Sequence, residues 1–297
     1  MNIILSKTTS RCTIGGVQAN MDNPPSSIWY RLSRHELIQP PPSFADLIIR
    51  WGCSVSLDID REIEYNKRES IKLSSNKGKC RQFLYDNGIP VPKPIDLSRV
   101  NSEEDLPFVV RPTFHQKGKD FLIFRNISDI LNDGYKISRL ESPYGSRFYP
   151  KTTEYRVHVG HGKVLVVQQK LQTSERIGEN WSHENGYTFE VVPWKQYRKE
   201  IVDLAVKTIE VLGLDFGAVD IMADPLDSSL PIAVVCEVNT SPKLEGYTVK
   251  RYAKYFDWLI RTRETRHFEI PDELKARHYV FKNRELLECN YDLSFKE

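Results

Sequence analysis

Two short apolar segments near the end of the chain carry oxygen-bearing side chains suited to a hard cation. Gly217-Ala218-Val219-Asp220-Ile221-Met222 holds a single carboxylate in an otherwise apolar run. Val234-Val235-Cys236-Glu237-Val238-Asn239 holds a second carboxylate and an amide two positions apart. As strands, with a side-chain period of two, they place Glu237 and Asn239 on one face. Pairing of the two strands would bring Asp220 to the same patch. Buried carboxylates are costly unless something positive pairs with them. Mg²⁺ is one such partner, because it takes oxygen ligands, commonly one or two carboxylates together with phosphate oxygens. The plainer alternative is a pair of carboxylates bridged to Arg or Lys.

Cations upstream bear on that choice. Arg111 ends the apolar strand Phe108–Val110. Arg156 lies in the alternating segment Glu154-Tyr155-Arg156-Val157-His158-Val159, on the same face as Glu154 and His158. Lys170 ends the returning segment that begins at Val164. Cations set into apolar strands suit the grip of a polyphosphate. The loop Thr113–Asp120 contains Lys117 and Gly118 and could close over phosphates through backbone N–H groups and charge. A Walker A motif, a G-x-G-x-x-G after a strand and a G-x-S-x-G elbow are all missing from the sequence. His158 reads as a hydrogen-bonded structural histidine rather than a ligand. His183-Glu184-Asn185-Gly186-Tyr187 is a polar, aromatic loop, and Ser241 and Lys243 follow the second carboxylate; each could reach an acceptor substrate or serve only as surface.

The elements that must position these groups are punctuated by proline at Pro24-Pro25, Pro40-Pro41-Pro42 and Pro90 to Pro94. Ile3-Ile4-Leu5 and Leu47-Ile48-Ile49 predict buried strands, the second ending at Gly52. A helix is predicted from a Ser75 or Asn76 cap to Gly88, with Cys80, Phe83 and Leu84 on one face. Phe121–Phe124 is the predicted hairpin partner of Phe108–Val110. A second hairpin turns at Gly160-His161-Gly162-Lys163. One stripe from Trp194 to Leu212 predicts a helix stopped by Gly213. Phe216–Met222 and Ile232–Asn239 are the paired strands, and Tyr247–Ile260 a closing helix. The charged stretch from Arg261 to Glu297 shows no period.

Composition narrows the function classes. Lys and Arg number 42 against 40 Asp and Glu, so no strong basic balance points to a duplex-binding protein. No apolar run approaches the roughly 18–20 residues of a membrane span, and Met1–Ser10 lacks the apolar core of a signal peptide. Cys12, Cys53, Cys80, Cys236 and Cys289 form no C-x-x-C pair, which suits reduced thiols in the cytoplasm.

In this order, Asn76-Lys77, Gly88-Ile89-Pro90-Val91-Pro92, Val109-Val110-Arg111-Pro112, Glu154-Tyr155-Arg156-Val157, Leu212-Gly213-Leu214, Asp220 and Glu237-Val238-Asn239-Thr240-Ser241-Pro242 resemble the ATP-grasp superfamily. Within it, Glu237 to Pro242 followed by Leu244-Glu245-Gly246 is most similar to RimK-like carboxylate–amine ligases. The resemblance covers residues 74 to 260. It implies an α/β (α+β) fold of two subdomains gripping ATP, at 74–145 and 146–264. A small α/β domain precedes them at 1–73 and an extension follows at 265–297.

The resemblance implies that Asp220, Glu237 and Asn239 hold one or two Mg²⁺ ions, with Mn²⁺ as a substitute. Lys77, Arg111, Lys117 and Lys170 would meet the nucleotide, Phe148 and Tyr149 would form the adenine hinge, and Arg156 and Lys117 would serve catalysis. Arg111 stands where the family usually has lysine, and the two are not interchangeable. The implied reaction joins a small-molecule or peptide carboxylate to an amine through an acyl phosphate, with ATP consumed. A modified nucleic-acid base as acceptor and a homo-oligomer are left open. A kinase acting on a hydroxyl and a non-catalytic nucleotide-binding module are the competing readings.

Overall fold

The computed structural model describes residues 3–7, 17, 21, 44–57, 59–100, 103–113, 121–173, 181 and 185–264. The Lys117 loop, His183 and the C-terminal extension therefore lie outside the described residues, as do Cys12 and Cys289. Three sheets occur among the described residues. The first is parallel, in the order β1 (Ile3–Lys7), β2 (Phe44–Trp51), β3 (Asp60–Tyr65). Ala45, Leu47, Ile48, Ile49 and Trp51 of β2 are all buried, as a central parallel strand requires. Arg50 is the buried exception. It pairs with Glu64 and donates from Nη1 to the carbonyls of Cys53 at 3.1 Å and Val55 at 2.8 Å, folding back the chain that leaves β2.

Two helices follow, α1 (Arg68–Ser75) and α2 (Lys77–Asp86). α1 runs through position 73, where the sequence led us to expect a domain end. Asn76 caps α2 by accepting from the Lys79 amide at 2.9 Å. Gly88 closes it at φ +70°, a left-handed conformation that favours glycine.

The second sheet is antiparallel, in the order β4 (Pro94–Ile95), β7 (Pro143–Arg147), β5 (Phe108–Pro112), β6 (Leu122–Phe124). The predicted hairpin is present, with Phe108 opposite Phe124 and their rings stacked at 4.9 Å. Against it lies the short helix α3 (Ile127–Asp133), which adds Ile130 to the Phe108–Val110–Phe124 core.

The third sheet is antiparallel throughout, in the order β10 (Tyr187–Val191), β9 (Lys163–Gln172), β8 (Lys151–Gly160), β11 (Phe216–Pro225), β12 (Ala233–Asn239). Helix α4 (Lys199–Val211) buries Ile201, Val202, Ala205 and Ile209 in one core with Val157, Val219, Ile221 and Val235. Helix α5 (Tyr247–Thr262) fills a second core shared with the first sheet. There Trp51 stacks on Phe216 at 5.7 Å and meets Tyr252 and Phe256 edge-on. Together these elements make the mixed α/β architecture expected from the sequence.

Two element boundaries differ from the expectation. The stripe from Trp194 predicted one helix, but the α-helix starts at Lys199. Trp194–Gln196 is a 3₁₀ turn, and Tyr197 is extended at ψ 131°. Its ring is buried and its hydroxyl accepts from the Val167 amide at 3.3 Å, so the demand of the sheet overrides the helical period. Lys170 lies inside β9, two residues short of its end, rather than at its terminus. No described helix is long and apolar enough to cross a membrane.

The first sheet is locked to the third by Asn66, fully buried and left-handed at φ +59°. Its amide oxygen accepts from the backbone of Asp215 at 2.8 Å and Phe216 at 3.1 Å, and its Nδ2 donates to the Phe216 carbonyl at 3.0 Å. This lock sets where β11 begins. Asn66→Ala leaves those backbone groups unpaired and removes the amide that lets asparagine, unlike alanine, tolerate a left-handed conformation. We expect a loss of roughly 2–4 kcal/mol in unfolding free energy, read from the shift in urea midpoint.

Candidate functional site

The register of the third sheet assembles the site. Asp220 lies opposite Arg156 of β8 on one side and opposite Glu237 of β12 on the other. Residues directly opposite share a face, so all three side chains project together. Asn239 lies two pairs along, opposite Ala218, and so on the same face. Beside the carboxylates the ladder slips: Ile221 pairs with Val235, leaving Cys236 as an extra residue in β12. Such a bulge bends a strand and re-aims its side chains. The Cys236 carbonyl accepts from Arg81 of α2 at 2.8 Å, and the Val235 amide donates to the Pro90 carbonyl at 2.8 Å. The outer side of β12 is thereby tied to α2 and the turn that follows it.

Charge in the site is balanced. Arg156 grips both oxygens of Asp220, Nε at 2.6 Å and Nη2 at 2.7 Å. Lys77, the first residue of α2, donates to Glu237 Oε2 at 2.6 Å. The bridged alternative raised from the sequence thus describes how each carboxylate is held. Burial favours the neutral form of both. On Glu237 the Lys77 ammonium and Arg156 override it and hold the carboxyl well below the usual range. Asp220 is pushed up by burial, against the pull of Arg156 and with an added push from the Glu237 charge.

The donor set fits a hard cation. Asn239 Nδ2 lies 3.3 Å from Glu237 Oε1 and 3.4 Å from Asp220 Oδ2. Amide oxygen and nitrogen exchange places by a half-turn of the group. With the oxygen inward, the Asn239 oxygen stands from each carboxylate at a spacing close to the ~3.0 Å that separates neighbouring ligands of an octahedral ion bound at about 2.1 Å.

A second ionic group borders the first. Glu154, 4% exposed, pairs with both Lys151 and Lys170, and Lys170 also donates to the Trp181 carbonyl at 2.7 Å. Phe189 of β10 lies under the guanidinium of Arg156 at 4.4 Å and under the Lys170 ammonium at 4.9 Å. Trp181 stacks on Tyr187 at 4.9 Å. The face thus carries alternating charge backed by aromatic rings, worth about 0.5–2 kcal/mol per cation–ring contact.

Of the remaining expected residues, Arg111 lies in β5 with its guanidinium over Phe121 at 4.7 Å. Burial pulls that group down, and Cys236, Tyr144 and Glu237 more than offset it, raising its pKa. Its Nε is buried without a hydrogen-bond partner. The Tyr149 ring packs with Met222 and Val234, an apolar patch two residues along β11 from Asp220. The Phe148 amide already donates to Pro107, and the Tyr149 carbonyl accepts from Lys151, each at 2.9 Å. Lys243 pairs with Glu245 at the surface. Ser241 faces Gly52: a β-carbon there would stand 2.6 Å from its Oγ, and Gly52 is left-handed at φ +68°. That contact brings the first sheet against the exit of the second carboxylate strand.

Sequence reasoning missed Arg81, Phe189 and the pairing of Glu154. Arg81 carried a usable signal, standing one turn after Lys77 on the same helix. It also donates to Ser146 Oγ at 3.1 Å, so one guanidinium joins β7 to β12.

No family model matches the sequence, and no curated protein does. Solved structures do match. The ATP-grasp ligase PsnB complexed with minimal precursor aligns at a TM-score of 0.60 and 12% identity, over 86% of this chain and 98% of that one. PsnB complexed with a phosphomimetic variant of minimal precursor, Mg and ADP aligns at 0.62 and 13% identity, over 88% and 98%. D-alanine--D-alanine ligase from Bacillus anthracis aligns at 0.60 and 16% identity, over 89% and 100%. The likeness is one of fold, and the fold is ATP-grasp.

His158 behaves as a structural residue. It is fully buried, hydrogen-bonded to Gln168 Oε1 at 2.9 Å and to the Tyr252 hydroxyl at 3.3 Å. Burial lowers its pKa to about 3. The unfolded chain takes up this proton near pH 6.5, whereas the folded chain does so only near 3, so stability falls as pH drops through that window. Urea midpoints at pH 7.5 and 5.0 should show this loss, and His158→Gln should lessen it.

Proposed function

We propose that the chain is an ATP-dependent carboxylate–amine ligase, RimK-like in its last motif, working with ATP and Mg²⁺ in the cytoplasm. The observation that carries this reading is the convergence of Asp220, Glu237 and Asn239 with Lys77 and Arg156 on one sheet face of an ATP-grasp fold. The solved ligases of that fold add support, because one was solved with a precursor peptide and another is a D-alanine--D-alanine ligase. Substrates of the same kinds, a small-molecule or peptide carboxylate and an amine, follow from the proposal.

In the first step a carboxylate oxygen attacks the γ-phosphorus, giving an acyl phosphate and ADP. In the second an amine attacks the acyl carbon, phosphate leaves, and the amine loses a proton. Such chemistry asks for alignment and charge neutralisation rather than a protein nucleophile. Asp220, Glu237 and Asn239 would hold magnesium, which when bound neutralises phosphate oxygens. Lys77, which pairs with Glu237, and Arg111, whose charge Glu237 favours, would supply positive charge for the rest of the triphosphate. Arg156, backed by Phe189, would meet the anionic acyl phosphate. The apolar patch of Tyr149, Met222 and Val234 suits a nucleobase. Lys117 would cover the β- and γ-phosphates. The polar His183–Tyr187 segment and the first sheet would shape the acceptor site, within the division at 73, 145 and 264 expected from sequence.

The test is a mass-spectrometric screen of amino-acid pairs and short peptides with ATP, with phosphate release followed in parallel. An amide product lighter by one water than its two substrates is expected, and Glu237→Ala should reduce ADP formation to background while retaining the native circular dichroism spectrum. A phosphorylated acceptor would instead establish a kinase, and binding of Mg-ATP with no turnover on any acceptor a non-catalytic nucleotide-binding module.

A further inference from the structure

The metal-binding carboxylates of the proposed ligase already have cationic partners, and those partners have seats of their own. Arg156 takes both oxygens of Asp220, yet its guanidinium also rests on Phe189 at 4.4 Å. Lys77 takes Glu237 from the first turn of α2. That helix is anchored independently, by the Asn76 cap and by Arg81 on the Cys236 carbonyl. Neither cation needs its carboxylate to remain in place. Arg156 is 16% exposed and Asp220 5%, so water does little to replace a lost partner.

Consider each ligand entering alone. A divalent ion must displace two ion pairs, taking from Arg156 and Lys77 the carboxylates that face them. A polyphosphate must approach two carboxylates whose charge it repels. When both enter together, partners are exchanged: the carboxylates pass to the metal, and the guanidinium and ammonium pass to phosphate oxygens. No charge is stranded.

We propose that Lys77 and Arg156 are place-holding cations that couple the two ligands, so that the protein takes its divalent ion only in company with a polyphosphate. This rests on the reading of Asp220, Glu237 and Asn239 as the metal ligands. Binding linkage makes the coupling reciprocal, so the nucleotide should depend on the ion as strongly as the ion depends on the nucleotide.

Mn²⁺ provides the probe, with free ion measured by electron paramagnetic resonance. Binding is titrated to the full chain with and without a non-hydrolysable ATP analogue, and corrected for the analogue's own Mn²⁺. The wild-type protein should bind Mn²⁺ at least 100-fold more tightly with the analogue. Arg156→Met and Lys77→Met should each bind Mn²⁺ alone at least 10-fold more tightly than wild type, and the analogue's enhancement should shrink by the same factor. Mn²⁺ alone should raise the melting temperature of Arg156→Met and leave that of wild type nearly unchanged. Equal wild-type affinity with and without the analogue overturns the proposal, and this arm needs no variant to fold. Folded variants that gain no affinity for Mn²⁺ also overturn it. Failure of wild type to bind Mn²⁺ even with the analogue would instead remove the metal-site reading beneath it.

Discussion

A guanidinium facing a carboxylate across one rung of a β-ladder is the constraint on which the site depends. Arg156 and Asp220 are paired by the register of β8 and β11, and their two hydrogen bonds at 2.6 and 2.7 Å use the planar fork of the arginine. Neither charge would be tolerated at this depth alone. The pair therefore specifies the register as well as depending on it, since a slip of one strand by one residue would send its charge into the α4 core and leave the other unpaired. Glu237 and Asn239 add to the same patch only because β12 is in register with β11 on the other side.

The frame around that rung explains its placement. α4 fills the lower face of the third sheet with aliphatic side chains, so polar groups can survive only on the upper face. On that upper face α5 and the aromatic cluster of Trp51, Phe216, Tyr252 and Phe256 cover one end, where His158 is buried and uncharged. The other end carries Arg156, Asp220, Glu237 and Asn239. The bulge at Cys236 turns a backbone carbonyl toward Arg81, and so ties the carboxylate strand to the helix that carries Lys77.

What could be read from the sequence follows from which signals are local. A carboxylate two residues before an amide in an apolar run, as in Glu237-Val238-Asn239, is local, and so is the alternation around Arg156; the structure brings these groups together. The paired strands, both hairpins and the helix between Asn76 and Gly88 were legible for the same reason. Tyr197 was not, because its contact with the Val167 amide is long-range and outweighs the helical stripe. The bulge at Cys236 was invisible, since a period of two cannot announce an extra residue whose carbonyl is claimed by a side chain 155 positions away. Phe189 was missed because an aromatic ring in a short strand reads as core until its cations are known. Lys117 lies outside the described residues, so its place stays an expectation.

Asn66 has a consequence for how the chain can be divided. It belongs by sequence to the opening segment, yet it supplies the polar contacts that start β11, about 150 residues later. The helix after it spans the joint at 73 that the resemblance implied, and Gly52 leans on the exit of β12 at Ser241. The opening segment is therefore a foundation stone rather than an accessory. Proteolytic trimming or recombination at that joint would pull the support from under the carboxylates without touching either of them.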